Sequence, residues 1–118
     1  YVYKSKHTHL FIDIVKNYMA NRWGIPQDVE TAVIARDQSC VYCSIPFDNM
    51  STTSKKTWEH IINDTALNGA DNIALCCRSC NASKNNKVLK DWLQSPYCQR
   101  KNINKNTVAS VVKKHLEK

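Results

Sequence analysis

Four of the six cysteines fall into two matched pairs, Cys40-x-x-Cys43 and Cys77-x-x-Cys80, and no other feature restricts the fold as much. A Cys-x-x-Cys turn presents two thiolates on one side of the backbone. Two such turns facing each other supply the four ligands that tetrahedral zinc takes. Residues 44–76 lie between the pairs, a longer stretch than the roughly 15–20 residues of a common zinc ribbon. A strand-loop-strand unit must therefore be inserted between the two halves. Four thiolates leave no open position for a substrate, so a zinc ion held by Cys40, Cys43, Cys77 and Cys80 is expected to be structural. Cys76 is out of phase with Cys80 and reads as a buried strand residue; Cys98 reads as a spare thiol.

Disulfides are the competing use of paired cysteines, and they need an oxidising compartment. Residues Tyr1 to His9 are basic and run into a helical pattern rather than an apolar stretch with a cleavage site, so no secretory signal is recognisable. No run approaches the roughly 20 apolar residues of a membrane span. Metal ligation in a reducing, intracellular setting, the cytoplasm, follows. Because residue 1 is Tyr, the chain also reads as a piece that was processed or excised from a longer protein.

At 118 residues the chain fits one compact domain, divided into N-terminal helices (1–36), a zinc-stapled core (37–95) and a basic C-terminal helix (96–118). Leu10, Phe11, Ile14, Val15, Tyr18, Met19 and Trp23 recur at helical spacing over residues 8–23, and Gly24 ends the pattern. A second helix is predicted from Pro26 to about Arg36, with Asp28 and Glu30 in its first turn. Residues 37–57 read as irregular. Short strands are predicted for 55–60 and 73–76, joined by a loop that contains Asn68-Gly69. A helix over 81–94, stopped by Pro96, and a last helix over 104–117 complete the order. The fold class is α+β.

The net charge of +7 is unevenly placed. Residues 1–83 hold eight Lys/Arg against eight Asp/Glu, whereas 84–118 hold nine Lys/Arg against Asp91 and Glu117. A basic segment of this kind is the footprint of a phosphate-backbone partner, or else a solubilising surface. Lys84, Lys87 and Lys90 recur at i, i+3, i+6 on the predicted third helix as candidate phosphate contacts, against the plainer reading of a solvated face. In the last helix Val108, Val111, Val112 and Leu116 share a side, which frees Lys105, Lys113 and Lys114. Lys55, Lys56 and Arg78 lie beside the cysteine pairs and are the remaining candidates for holding nucleic acid.

The chain also carries Glu59-His60 between the cysteine pairs, then Asn72-Ile73, then Cys80-Asn81-x-x-Lys84. If the Glu-His pair ends a strand and zinc clamps the neighbouring strand to a helix, a carboxylate, an imidazole and an amide converge. Arg36-Asp37-x-x-Cys40-x-Tyr42-Cys43, followed by these motifs in this order, resembles the zinc-containing HNH (ββα-metal) endonucleases over about residues 33–90.

The resemblance implies a ββα-metal core and metal-dependent hydrolysis of DNA phosphodiester bonds, with 5′-phosphate and 3′-hydroxyl products. It implies that His60 is the general base, which must be neutral to accept a proton. Glu59 and Asn81 would hold one divalent ion, Mg2+ or Mn2+ by the hardness of their oxygens. Asn72 would fix the loop and thereby orient His60. Asn85 is a further candidate contact, and a polar surface residue otherwise. Glu59, the longer carboxylate, stands where the family commonly has Asp and would still reach a metal. Double-stranded DNA is the implied partner, in a restriction, phage or similar nuclease, with the oligomeric state left open. The contrasting reading is a zinc-knuckle module that binds nucleic acid without cutting it.

Overall fold

The computed structural model describes residues 23–117, so the helix expected over 8–23 lies outside the described residues except for Trp23. Gly24 takes the positive φ of +75° that a chain reversal needs and that side-chain-bearing residues resist. Ile25 is then buried, and Pro26 leads into α1, Gln27–Arg36. Asp28 and Glu30 lie in the first turn of α1 and Arg36 in the last, each placed favourably for the helix dipole.

The end of α1 is clamped to the sheet. Arg36 grips both Asp37 oxygens at 2.7 and 2.9 Å and donates to the carbonyls of Ala70 and Ile73. Asp37 Oδ2 in turn accepts from Leu75 N–H at 2.9 Å. Fork-like Arg–carboxylate geometry suits this double role, and it fixes α1 against the second strand.

The sheet is one antiparallel pair, β1 (Lys56–His60) and β2 (Ile73–Cys77). Its register pairs Lys56 with Cys77, Thr57 with Cys76, Trp58 with Leu75, Glu59 with Ala74 and His60 with Ile73. Side chains alternate across a strand, so Thr57, Glu59, Ala74 and Cys76 share one face and Trp58, His60, Ile73 and Leu75 the other. The apolar residues divide in the same way. Ile73 and Leu75 join Ile25 and Val33, with Trp58 packed alongside. Ala74 and Cys76 join Tyr42, Trp92, Ile103, Val108 and Val112 in a larger cluster. All five residues of β2 are buried because both faces are covered.

Past β2 the helices differ from the expectation. α2 spans Arg78–Lys84 and begins three residues early, because Cys77 serves as its cap, its sulfur accepting from Cys80 N–H. α2 ends at Asn85, where φ is +48°, so the predicted 81–94 helix is broken and resumes only as α3, Leu89–Trp92. Pro96 does not act as a stop. It opens α4, Pro96–Arg100, behind the Ser95 cap, since a helix's first turn tolerates the missing N–H. The last helix is shorter than predicted: α5 spans Ser110–Leu116. Before it, the Asn104 side chain accepts from Asn106 N–H and the Thr107 hydroxyl from Asn104 N–H. These local bonds compete with helix formation. Val108, Val111 and Val112 are buried as expected.

Candidate metal centre and candidate active site

Each Cys-x-x-Cys pair is shaped by its own backbone. Cys40–Cys43 forms a tight turn in which Cys43 N–H points at Cys40 Sγ and Ser44 N–H bonds Cys40 O, with Ser44 at φ +67°. Cys77 and Cys80 sit at the end of β2 and in the first turn of α2, with Cys80 N–H aimed at Cys77 Sγ. The four sulfurs all lie within 4.8 Å of one another, and Cys43 and Cys77 are 3.8 Å apart. Four thiolates each about 2.3 Å from one zinc ion would stand about 3.8 Å apart, so the donor set fits a tetrahedral ion. Cys40, Cys77 and Cys80 are buried and Cys43 is partly exposed.

The cluster also favours thiolate at two positions. Contacts from Cys40, Cys43 and Cys80 hold Cys77 far below the usual thiol range, and Cys43 is lowered to about 7, chiefly by Cys40. Cys40 and Cys80, the donors in these contacts, are pushed up. Tyr97 adds a hydroxyl 3.4 Å from Cys80 Sγ and bonds the Ser79 hydroxyl at 2.8 Å, giving the sulfurs an outer layer of polar partners. Cys76 lies outside the cluster against Thr57, and Cys98 is buried elsewhere in the core.

The sheet and α2 bring Glu59, Asn81 and Lys84 to one face. Asn81 stands one residue after Cys80, and its Nδ2 donates to Thr57 Oγ1 (3.0 Å) and Trp58 O (3.1 Å), which turns Oδ1 the other way. Glu59 is buried. Its Oε2 accepts from Tyr42 O–H at 2.6 Å and meets Lys84 Nζ at 3.1 Å. The same carboxylate contact helps to push the buried Tyr42 hydroxyl up, behind burial itself as the larger cause.

Lys84 corrects the expectation that it meets phosphates. It is 0 % exposed and points inward, to Glu59 and to the carbonyl of Ile61 at 2.9 Å. On α2 it follows Cys80 by four residues, and the metal-side face of the helix carries it into the interior. Lys87 is exposed, with Nζ on Ser83 O, and Asn85 is exposed at the end of α2. Arg78 and Lys55 are exposed and adjacent, joined by Arg78 N–H to Lys55 O, and half-buried Lys56 pairs with Cys77 across the strands.

His60 is the last residue of β1 and leaves the sheet on the opposite face from Glu59. Its ring stands edge-on to Trp23, with centroids 5.4 Å apart, and its Nε2 lies 2.8 Å from Asn68 Oδ1. Asn72 is buried and spans the loop: Oδ1 accepts from Ile62 N–H, while Nδ2 donates to the carbonyls of Ile62 and Leu67.

The sequence alone assigns no role to Asn68 or to an inward-facing Lys84. The Asn68-Gly69 pair reads only as a turn, whereas the four-residue spacing from Cys80 could have shown which way Lys84 points.

The model of the HNH endonuclease family matches residues 40–87, a segment that runs from the first metal-site cysteine through α2 and contains Glu59, His60, Asn72 and Asn81. No curated protein and no solved structure matches the chain.

Proposed function

With an HNH endonuclease domain at residues 40–87, we propose that the protein is a metal-dependent DNA endonuclease that hydrolyses phosphodiester bonds to 5′-phosphate and 3′-hydroxyl ends. One observation carries the reading. A four-cysteine metal site joins the end of β2 to the start of α2, and this joint sets an amide, Asn81, and a carboxylate, Glu59, on one face beside the strand end that bears His60. The ion at the cysteines is zinc in a structural role.

In this reading Glu59 and Asn81 hold one divalent ion, Mg2+ or Mn2+. Asn81 offers Oδ1, since its Nδ2 is engaged twice. Among the described residues both contacts made by Glu59 fall on Oε2, which leaves Oε1 as its donor. Two hard oxygens suit such an ion. When bound, the ion supplies charge neutralisation at the scissile phosphate and at the departing 3′-oxygen. His60 takes the proton of the attacking water. Asn72 stiffens the loop behind His60 by bonding both backbone groups of Ile62. Lys55, Lys56, Arg78 and Lys87 supply phosphate contacts to double-stranded DNA.

One observation favours a second reading, a nucleic-acid-binding module without chemistry. Lys84 already neutralises Glu59, which weakens the pull of that carboxylate on a cation. Nicking of supercoiled plasmid separates the two readings. The nuclease cleaves with Mg2+ or Mn2+ and stops in chelator. His60→Ala slows it by roughly 10²–10⁴ while fold and duplex affinity persist. Cleavage by His60→Ala at the wild-type rate would remove His60 as the base, and a wild-type protein that binds but never nicks would leave the binding module.

A further inference from the structure

We infer that Asn68 is a positioning residue that fixes the proton of His60 on Nε2 and so leaves Nδ1 as the atom that accepts the proton from water. The first half rests on the hydrogen bonds alone; the second rests on the nuclease reading of His60.

Donor and acceptor chemistry fixes the tautomer. Asn68 Nδ2 lies 2.7 Å from Trp23 O and 2.9 Å from Thr65 O. Both partners are carbonyl oxygens and can only accept, so the end of the side chain facing them is the NH2 group. The other end, 2.8 Å from His60 Nε2, is therefore the carbonyl oxygen and cannot donate. A bond of that length requires the imidazole N–H to be the donor. In the neutral ring only one nitrogen carries a proton, so the lone pair is on Nδ1.

The assignment is held in place from several sides. Trp23 stands edge-on to the imidazole and, through its carbonyl, anchors Asn68. Reversing the Asn68 amide would break two bonds to carbonyls and set an NH2 group against His60. Asn72 binds the carbonyl of Leu67, the residue before Asn68, so the loop that carries the amide is itself tied down. His60 is 8 % exposed, so little water competes for Nε2.

The test is two-bond 1H–15N correlation NMR on protein labelled with 15N-histidine, at a pH where the ring is neutral, with the His60 signals identified by their loss in His60→Ala. Wild-type His60 is expected to show a pyrrole-type Nε2 and a pyridine-type Nδ1. Asn68→Ala should mix the two forms and lower the single-turnover cleavage rate about tenfold or more, with zinc content and duplex affinity retained. Asn68→Asp keeps an oxygen acceptor and should keep the wild-type nitrogen pattern. A proton on Nδ1 in the wild type overturns the inference, as does an unmixed Nε2–H form in Asn68→Ala that cleaves at the wild-type rate. A locked Nε2–H form that mixes in Asn68→Ala, in a protein that cleaves no DNA, upholds the bond to Asn68 and overturns the nuclease reading instead.

Discussion

Replacing Lys84 by Met tests whether this residue is an internal strut or a DNA contact. Met preserves most of the buried stem and deletes the ammonium. The 0 % exposed Lys84 and 6 % exposed Glu59 form an ion pair of 3.1 Å, and Lys84 also donates to Ile61 O at 2.9 Å. After the substitution the Glu59 carboxylate keeps, among the described residues, only the Tyr42 hydroxyl as partner. Breaking a buried pair by removing one member costs about 3–5 kcal/mol, because a charge is left without compensation. That is a large part of the roughly 5–15 kcal/mol that holds a domain together.

A surface lysine would behave differently: its removal changes stability by about 0.5 kcal/mol or less and flattens the salt dependence of DNA binding by about one unit. Urea denaturation with zinc held saturating measures the first quantity, and duplex binding across salt concentrations the second. The double variant Glu59→Gln/Lys84→Met removes both charges and should recover at least about 1 kcal/mol relative to Lys84→Met alone. A destabilisation under about 1 kcal/mol in the single variant, or no recovery in the double, would refute the buried-pair argument.

Elemental analysis after dialysis should find one zinc per chain, and Cys77→Ser should lose both the metal and the cooperative unfolding transition, since binding energy at such a site is folding energy; a folded, metal-free protein would contradict this. Asn81→Ala should raise the Mg2+ concentration for half-maximal cleavage by about tenfold or more, and an unchanged titration would remove Asn81 from the ion. Lys101, Lys105, Lys113 and Lys114 are all exposed. Neutralising the four together should flatten the slope of log affinity against log salt, measured with Ca2+ in place of Mg2+, by about one unit for each DNA phosphate that is no longer neutralised. An unchanged slope would assign DNA binding to Lys55, Lys56 and Arg78.

Much of the frame is legible in the sequence because it depends on local rules. The cysteine pairs, the strands ending at His60 and beginning at Ile73, and the helix ending at Arg36 follow from spacing, alternation and end signals, and the structure has each of them, with Pro26 as the cap of that helix rather than its first residue. Expectation and structure part where one residue answers to two demands. Charge spacing groups Lys84 with Lys87, but the helix face set by Cys80 turns Lys84 inward. Pro96 follows a predicted helix, as a stop would, yet Ser95 before it converts the same residue into a helix start. Asn85 interrupts an otherwise helical stretch through a positive φ that no periodicity records. Asn68 has no motif; only the return of the loop to Trp23 gives it a role.

Cys77 ends β2, caps α2 and belongs to the metal cluster. The distance from that sulfur to the Asn81 amide is thus spanned by a single helical turn of backbone. Substitutions at Ile103, Val108 and Val112 change the packing of the apolar cluster without altering that length. Inserting one residue between Cys77 and Asn81 would have the converse effect, rotating the amide by about 100° around the helix axis. The count of residues from Cys77 to Asn81 is therefore as much a part of the site as the side chains themselves.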